Sequence, residues 1–103
     1  MGLLDFLFGN KDQKIKEYLD KNAILLDVRT VREFNANALP NSKNIPLQDL
    51  HNHVENLKQK KKPFIVYCES GVRSAKAAKF LNLNNIDAIN GGGWRSVKRI
   101  VVK

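Results

Sequence analysis

The hydrophobic positions of the chain fall into short apolar runs that are separated by polar segments. Residues 23–28 and 64–67 are almost continuously apolar, and residues 86–89 form a shorter run. Runs of this length without polar alternation are typical of strands that are covered on both faces, as in a parallel sheet. Residues 43–46 leave room for a further short strand. The pattern therefore predicts buried strands at these four places.

Helical patterns lie between the expected strands. Apolar residues at helical spacing, or a helix-forming composition, mark residues 11–20, 47–57, 74–83 and 94–101. The glycines at residues 91–93 predict a loop before the last of these helices. Thr30 and Glu33 have the spacing of a capping box, which predicts the start of another short helix. Because strands and helices alternate, we expect an α/β protein with a parallel sheet and helices on both of its faces.

The length of 103 residues is enough for one domain with a single hydrophobic core. We expect that domain to comprise residues 11–103, after an N-terminal apolar segment at residues 1–10. The apolar patch in this segment is too short to cross a bilayer, which takes about 20 residues, so no transmembrane segment is expected. The patch either packs on the surface of the domain or offers a handle to a partner protein or a membrane surface.

The charge and the cysteine content of the chain exclude several classes of function. The net charge of +8 favours anionic partners. The lysines are scattered, apart from four within residues 58–62, and they lack the context of a nucleic-acid site, so no nucleic acid is expected. A single cysteine excludes an internal disulfide and a multi-cysteine zinc site, and neither His51 nor His53 has a cysteine nearby to share a metal. A lone thiol suits a reducing compartment, which predicts a cytoplasmic location.

The single cysteine, Cys68, follows a buried run and begins a polar loop that closes on Arg73. A thiolate is the nucleophilic form of cysteine, whose ordinary pKa is about 8.5. Inward-facing N–H groups of the loop, the start of the following helix and Arg73 would all stabilise a thiolate. Gly71 would let the backbone curl. The alternative is a structural core cysteine, which needs none of these features.

The length of the loop separates the chemistries that a cysteine and an arginine can perform together. Cysteine-based phosphatases use a Cys-x5-Arg loop, whereas only four residues separate Cys68 from Arg73. The shorter loop would enclose a smaller site, which suits a single transferred sulfur better than a tetrahedral phosphate. A small-oxyanion phosphatase or reductase stays open as a weaker alternative. Dithiol chemistry within one chain is excluded because there is no second cysteine.

Five short motifs follow one another along the chain, namely residues 25–29 (LLDVR), 33–34 (EF), 44–46 (NIP), 65–74 (IVYCESGVRS) and 91–94 (GGGW). In this order and spacing they resemble the single-domain rhodaneses, a family of sulfurtransferases. The resemblance covers roughly residues 20–100. It implies an α/β fold with a small parallel sheet of about five strands and helices on both faces.

The resemblance also implies a reaction and a set of site residues. Cys68 would attack the outer sulfur of a small anionic donor such as thiosulfate and carry it as a persulfide, which a thiol or a cyanide-like acceptor then removes. Neither an organic cofactor nor a metal takes part. Main-chain N–H groups of the loop would hold the persulfide, and Arg73 would attract the donor. The substrate-binding residues are expected to be Glu69, Ser70, Gly71, Val72 and Arg73.

Three charged residues near this loop are expected to support it. Asp27 and Arg29 end the neighbouring strand on the same edge of the sheet, where they would form a polar brace. Glu33 is a candidate partner of Arg29. The alternative for the three residues is ordinary surface ion pairing, which is common and weak.

Two departures from the family pattern bear on function. Ala38 stands where the family often has a histidine, and Glu69 places a negative charge directly after the nucleophile. That charge should weaken the attraction of a dianion and oppose formation of the thiolate. A neutral or protein-borne persulfide is therefore an alternative donor. A second hypothesis is a non-catalytic binding module of the same fold, whose loop recognises a partner.

Overall fold

A computed structural model describes residues 10–102, and its centre is a sheet of four parallel strands. The order of the strands across the sheet is β2-β1-β3-β4. Their bounds are β1 Ile24–Asp27, β2 Lys43–Asn44, β3 Phe64–Cys68 and β4 Ala88–Gly93. The central position of β3 places the carboxyl end of that strand, and with it Cys68, between strands on both sides.

Within residues 10–102, five α-helices and a 3₁₀ helix lie before, between and after the strands. The helices are α1 Asn10–Asp20, α2 Val31–Ala36, α3 Val54–Gln59, α4 Val72–Leu83 and α5 Trp94–Val101, and the 3₁₀ helix Leu47–His53 leads directly into α3. The capping box at the start of α2 is confirmed. The Glu33 N–H donates to Thr30 Oγ1 (3.1 Å), and the Thr30 N–H donates to Glu33 Oε1 (3.0 Å).

Strand β3 is buried on both faces, as its apolar sequence predicts. Phe64, Val66 and Cys68 face a core formed with α3, α4 and the 3₁₀ helix. Ile65 and Tyr67 face a second core formed with α1 and α5. The helices therefore cover both faces of the sheet, as expected. The alternation also puts the Cys68 side chain on the face that α4 covers.

Two details of the sheet differ from the expectation. The sheet has four strands in the described residues, whereas the resemblance implies about five, and these four are the ones that the hydrophobic pattern predicts. Residues 91–93, expected as a loop, belong to β4, where Gly92 and Gly93 pair with Tyr67 and Cys68 after a shift in register. A run of glycines carries no side-chain alternation, so its strand character cannot be read from the pattern.

Two expectations concern the termini and membranes. The N-terminal apolar patch, residues 1–9, lies outside the described residues, so its packing or partner role stays a prediction. Between residues 10 and 102, every helix is too short or too polar to cross a membrane.

Candidate active site

Cys68 is the last residue of β3, and its side chain is fully buried. The loop after the strand folds back so that backbone donors point at the sulfur. The N–H of Gly71 lies 3.0 Å from Cys68 Sγ, and the N–H of Ser74 lies 3.3 Å away. The Ser74 hydroxyl oxygen is also 3.3 Å from the sulfur. A cradle of hydrogen-bond donors therefore surrounds the thiol at the start of α4.

The environment of Cys68 favours the thiolate. Burial alone would raise the pKa of the Cys68 thiol, because a charge is poorly solvated inside a protein. The hydrogen bonds from Ser74 and from the backbone of Ser70 and Gly71 act in the opposite direction and outweigh burial. The net result is a Cys68 pKa below its ordinary value. The sulfur is thus prepared for nucleophilic attack.

Glycines allow the loop to lie directly on β4. Gly71 has a φ of +101°, which is costly for other residues, and a Cβ there would come within 3.3 Å of Gly92 Cα. A Cβ on Gly93 would stand only 2.8 Å from the carbonyl oxygen of Glu69. Larger residues at these positions would push the loop away from the strand. The glycine run of β4 therefore allows the loop that surrounds the sulfur to lie close to the sheet.

Arg73 pairs with Glu33 across the opening between α4 and α2. Its two terminal nitrogens donate to the two carboxylate oxygens of Glu33, at 2.8 and 3.0 Å. The hydrogen bonds from Arg73, followed by those from Thr30, lower the pKa of Glu33 to about 2. The expectation that Glu33 pairs with Arg29 was therefore wrong. Helix α2 carries Glu33 to the Arg73 side, while Arg29 turns into the protein.

Asp27 and Arg29 form a buried pair and not a surface one. Both side chains are almost fully buried. Arg29 Nε lies 3.1 and 3.0 Å from the two Asp27 oxygens, Nη2 lies 2.7 Å from Oδ2, and the Arg29 N–H donates to Oδ1 at 2.8 Å. Arg29 also donates to the side chain and the carbonyl oxygen of Asn37. The pair therefore braces the end of β1 against the loop that follows α2.

Glu69 extends from the loop towards α5. Its carboxylate accepts hydrogen bonds from Arg95 Nη1 (2.9 Å) and Trp94 Nε1 (3.1 Å), and it lies 3.5 Å from Arg29 Nη1. The hydrogen bond from Arg95 is the chief reason that the pKa of Glu69 is lowered. Two guanidinium groups thus balance the charge that was expected to oppose the thiolate, and the pKa of Cys68 stays lowered beside it.

The outer rim of the loop is apolar and exposed. The side chain of Val72 is 62% exposed, and that of Val31, at the start of α2, is 55% exposed. A recess of about 220 Å³ opens beside Arg73, with Val28 and Thr30 in its lining. The Ser70 side chain is exposed as well. Of the predicted loop residues, Ser70 and Val72 therefore contribute backbone and surface, not side-chain contacts to the sulfur.

A family model described as a Rhodanese-like domain matches residues 11–99, which is most of the chain. The chain belongs to the rhodanese-like family. The match confirms the family that the five sequence motifs predict, and it agrees with the parallel sheet that helices cover on both faces.

This rhodanese-like domain is similar in sequence to two curated proteins and in structure to a third protein. A tRNA sulfurtransferase of Thermoplasma acidophilum is 32% identical over 77 residues, or 75% of this chain, but the match spans only 15% of that protein. The uncharacterized protein YqhL of Bacillus subtilis is 35% identical over 73% of this chain, and the match spans 60% of its length. The crystal structure of a rhodanese-like domain protein from Staphylococcus aureus is 33% identical, covers 82% of this chain and 85% of its own, and superposes with a TM-score of 0.69.

Sequence reasoning missed several contributors to the site of this rhodanese-like domain. The donors were expected from Glu69 to Arg73, but the Ser74 N–H also donates to the sulfur and the Ser74 hydroxyl oxygen lies 3.3 Å from it. Ser74 directly follows Arg73, so extending the loop by one residue would have found it. Asn90, which contacts Ser74 and Gly71, lies on another strand, and no spacing in the sequence points to it. Across residues 10–102, no cluster of histidine, cysteine and acidic side chains is arranged to hold a metal ion.

Proposed function

We propose that this rhodanese-like domain is a sulfurtransferase that moves a sulfane sulfur through a persulfide on Cys68. The observation that carries the proposal is the cradle around Cys68, in which the N–H groups of Gly71 and Ser74 and the Ser74 hydroxyl converge on one sulfur atom. Donors in this arrangement stabilise a thiolate and, equally, the negative outer sulfur of a persulfide. The name of the Thermoplasma acidophilum relative, a tRNA sulfurtransferase, supports the same chemistry.

The first step loads the cysteine. The Cys68 thiolate attacks the terminal sulfur of the donor, and a new sulfur–sulfur bond forms. The bond between that sulfur and the rest of the donor breaks, and the leaving group keeps the electron pair. With thiosulfate the leaving group is sulfite. With a persulfide donor it is a thiolate.

The second step unloads the cysteine. A thiolate or cyanide acceptor attacks the outer sulfur of the persulfide, and the sulfur–sulfur bond to Cys68 breaks with its electron pair returning to Cys68. The acceptor leaves as a persulfide or as thiocyanate. The thiolate form of Cys68 is restored, so the cycle needs no external oxidant or reductant and no cofactor.

The charges around the loop bear on the choice of donor. Arg73 carries the positive charge nearest to the thiol on α4, but Glu33 already neutralises it. Glu69 is balanced by Arg29 and Arg95. The entrance is therefore close to neutral, which suits a persulfide donor as well as thiosulfate. A dianionic donor would gain most by taking the place of Glu33 on Arg73.

A non-catalytic binding module is the second candidate. It is favoured by the burial of the thiol and by the exposed apolar side chains of Val72 and Val31 on the rim. These residues would contact a partner protein in either case, because a protein-borne acceptor must approach the same rim. Phosphatase chemistry has less support, because the loop is one residue shorter than a phosphate cradle and Arg73 is engaged by Glu33.

Turnover with a panel of donors tests the proposal. The full chain is mixed with thiosulfate or with a small organic persulfide, and with cyanide or a dithiol as acceptor, and product formation is followed for the native protein and for Cys68→Ser. We expect turnover with at least one pair, and none above background for Cys68→Ser. Glu55→Gln, at an exposed residue of α3, should keep the native rate. Equal turnover by Cys68→Ser, or hydrolysis of an aryl phosphate in place of sulfur transfer, would contradict the proposal.

A further inference from the structure

Asn90 joins three parts of the molecule at the back of the cradle. It lies on β4, where its side-chain oxygen accepts the Ser74 hydroxyl at 2.6 Å and the Gly92 N–H at 2.9 Å. Its side-chain nitrogen donates to the carbonyl oxygen of Gly71 at 3.1 Å. Ser74 and Gly71 are also two of the residues whose backbone N–H groups donate to the sulfur of Cys68. Asn90 therefore contacts two of the residues that donate to the thiol.

The Ser74 hydroxyl has one proton and three neighbours that can accept it. Asn90 Oδ1 lies at 2.6 Å, Cys68 Sγ at 3.3 Å and the Gly92 carbonyl oxygen at 3.5 Å, so the shortest contact receives the proton when the sulfur is a neutral thiol. The Ser74 oxygen then faces the thiol as an acceptor. When the sulfur becomes negative, the hydroxyl can rotate its proton to the sulfur. Asn90 Oδ1 still keeps the Gly92 N–H, so this rotation leaves no buried acceptor unpaired.

Asn90 also makes a hydrogen bond to the backbone of the loop, at the carbonyl oxygen of Gly71. Gly71 adopts a φ of +101°, a conformation that the loop must hold for the Gly71 N–H to reach the sulfur at 3.0 Å. The hydrogen bond from Asn90 to the Gly71 carbonyl ties that residue to β4. Without this bond the glycine has wide conformational freedom. One asparagine thus fixes a side-chain donor and a backbone donor at the same time.

We propose that Asn90 is a positioning residue that sets the hydrogen-bond donors facing Cys68, through the hydroxyl of Ser74 on one side and the backbone of Gly71 on the other. The inference deepens the proposed function, on which it rests for the role of Cys68 as the reacting group. Asn90 does not contact the sulfur itself. It acts on the sulfur through two neighbours, and the effect should appear in the proton equilibrium of the thiol.

The charged groups near Cys68 are all on residues other than Asn90, so the influence of Asn90 on the thiol can be measured separately from theirs. From α4, Arg73 interacts electrostatically with Cys68, and Glu33 on α2 neutralises it. Asp27 and Arg29 at the end of β1 are paired with each other, and Glu69 is held by Arg29 and Arg95. Replacing Asn90 with leucine changes none of these charges. A shift in the titration of Cys68 would then report on hydrogen bonding.

The test is a pH titration of the thiolate by its ultraviolet absorbance, with the matching Cys68→Ser protein subtracted. In Asn90→Leu we expect the midpoint for Cys68 to rise by about one pH unit, because the Gly71 N–H is no longer held on the sulfur and the thiolate loses one hydrogen bond. Asn90→Asp has nearly the same shape, but it adds a negative charge and cannot donate to Gly71. We expect it to raise the midpoint further. It also serves as the second variant if Asn90→Leu fails to fold.

Asn82 supplies a matched control. It makes a comparable pair of hydrogen bonds to the other end of β4, both to the backbone of Ala88 at 3.0 Å. Asn82→Leu should lower the free energy of unfolding and leave the midpoint of Cys68 unchanged. If Asn90→Leu also lowers stability without moving the midpoint, its role is only structural and the inference is wrong.

A double-mutant cycle with Ser74→Ala tests the path of the effect. In Asn90→Leu the Ser74 hydroxyl no longer shares its proton with Asn90 and can donate to the sulfur, which offsets part of the rise. If Asn90 acts partly through the hydroxyl, Asn90→Leu will therefore move the midpoint more in the Ser74→Ala background than in the native one. Fully additive shifts would contradict action through Ser74. The titration needs no sulfur donor, so it separates the two proposals. Turnover with no shift would overturn the role of Asn90 alone, and a shift without turnover would overturn only the proposed function.

Discussion

Two arginine–carboxylate pairs stand on the same edge of the sheet, and they differ in their access to water. The side chains of Arg29 and Asp27 are 1% and 0% exposed, whereas those of Arg73 and Glu33 are 35% and 32% exposed. The distances are alike, since the shortest contacts are 2.7 and 2.8 Å. The chemistry of the two pairs is therefore the same, and their surroundings separate them.

Exposure decides what each pair can do. Neither Asp27 nor Arg29 has water as an alternative partner, so loss of one leaves a buried charge uncompensated. Arg73 and Glu33 are each in contact with solvent and can separate at small cost. Under the proposed function, we expect an anionic donor to replace Glu33 on Arg73, which is open to solvent, and not to reach Arg29, which is buried. We therefore expect the buried pair to support the loop and the exposed pair to respond to the donor.

The largest expected effect comes from breaking the buried pair. Arg29→Leu should lower the free energy of unfolding by about 3–5 kcal/mol, because it leaves the Asp27 carboxylate buried without its partner. Urea denaturation measures the change. Arg32→Leu, at an exposed arginine of α2, is the control and should stay within about 0.5 kcal/mol of the native protein. A loss at Arg29 no greater than that at Arg32 would remove the distinction between the pairs.

Breaking the exposed pair should affect activity more than stability. Arg73→Gln should lower kcat/KM for thiosulfate about tenfold or more, because it removes a charge at the donor site and leaves Glu33 unpaired. The loss of stability should be no more than about 1 kcal/mol. Rates with an uncharged persulfide donor should fall less. Equal losses with both donors would show that Arg73 does not act through its charge.

Acid should weaken the exposed pair. The folded pKa of Glu33 is about 2, below its ordinary value of 4.5. The pair therefore stabilises the fold fully above the unfolded pKa, and that stabilisation is lost as the pH falls from about 4.5 towards 2. Solvent screening limits the contribution to about 1 kcal/mol. The difference in unfolding free energy between native protein and Glu33→Gln should shrink between about pH 6 and pH 3. A constant difference would contradict this pairing.

The smallest effect is expected at Glu69, which touches both the buried network and the surface. Arg29 keeps its hydrogen bonds to Asp27 and Asn37 without Glu69, so Glu69→Gln should leave the midpoint of urea denaturation close to that of the native protein. The Michaelis constant for thiosulfate should fall slightly, because one negative charge leaves the entrance. A large loss of stability would show that Glu69 supports the fold as the buried pair does, and it would contradict this prediction.

Local patterns in the sequence were enough for most of the fold. The apolar run of β3, the capping box at Thr30 and the helix after Arg73 each depend on neighbouring residues, and all three appear in the structure. The glycines of β4 were misread because a residue without a side chain leaves no periodic pattern. The strand is defined instead by its pairing with β3.

The polar partners of the site were harder to predict, because they are distant in the sequence. Arg73 and Glu33 are 40 residues apart, whereas Arg29, the expected partner, is only four residues before Glu33. Arg29 is buried with Asp27 instead, and its burial depends on how α2 and the sheet pack. Asn90 reaches Ser74 only because β4 pairs beside β3. These contacts follow from the tertiary fold and not from any motif.

The intact mass of the protein after exposure to a sulfur donor tests the central claim most directly. Incubation with thiosulfate, and separately with a small organic persulfide, should add about 32 Da, one sulfur atom, to the native chain. The addition should be absent from Cys68→Ser, and an acceptor thiol should remove it from the native protein. If no donor adds sulfur to the native chain, or if Cys68→Ser gains the same mass, then Cys68 is not the carrier and the account is wrong.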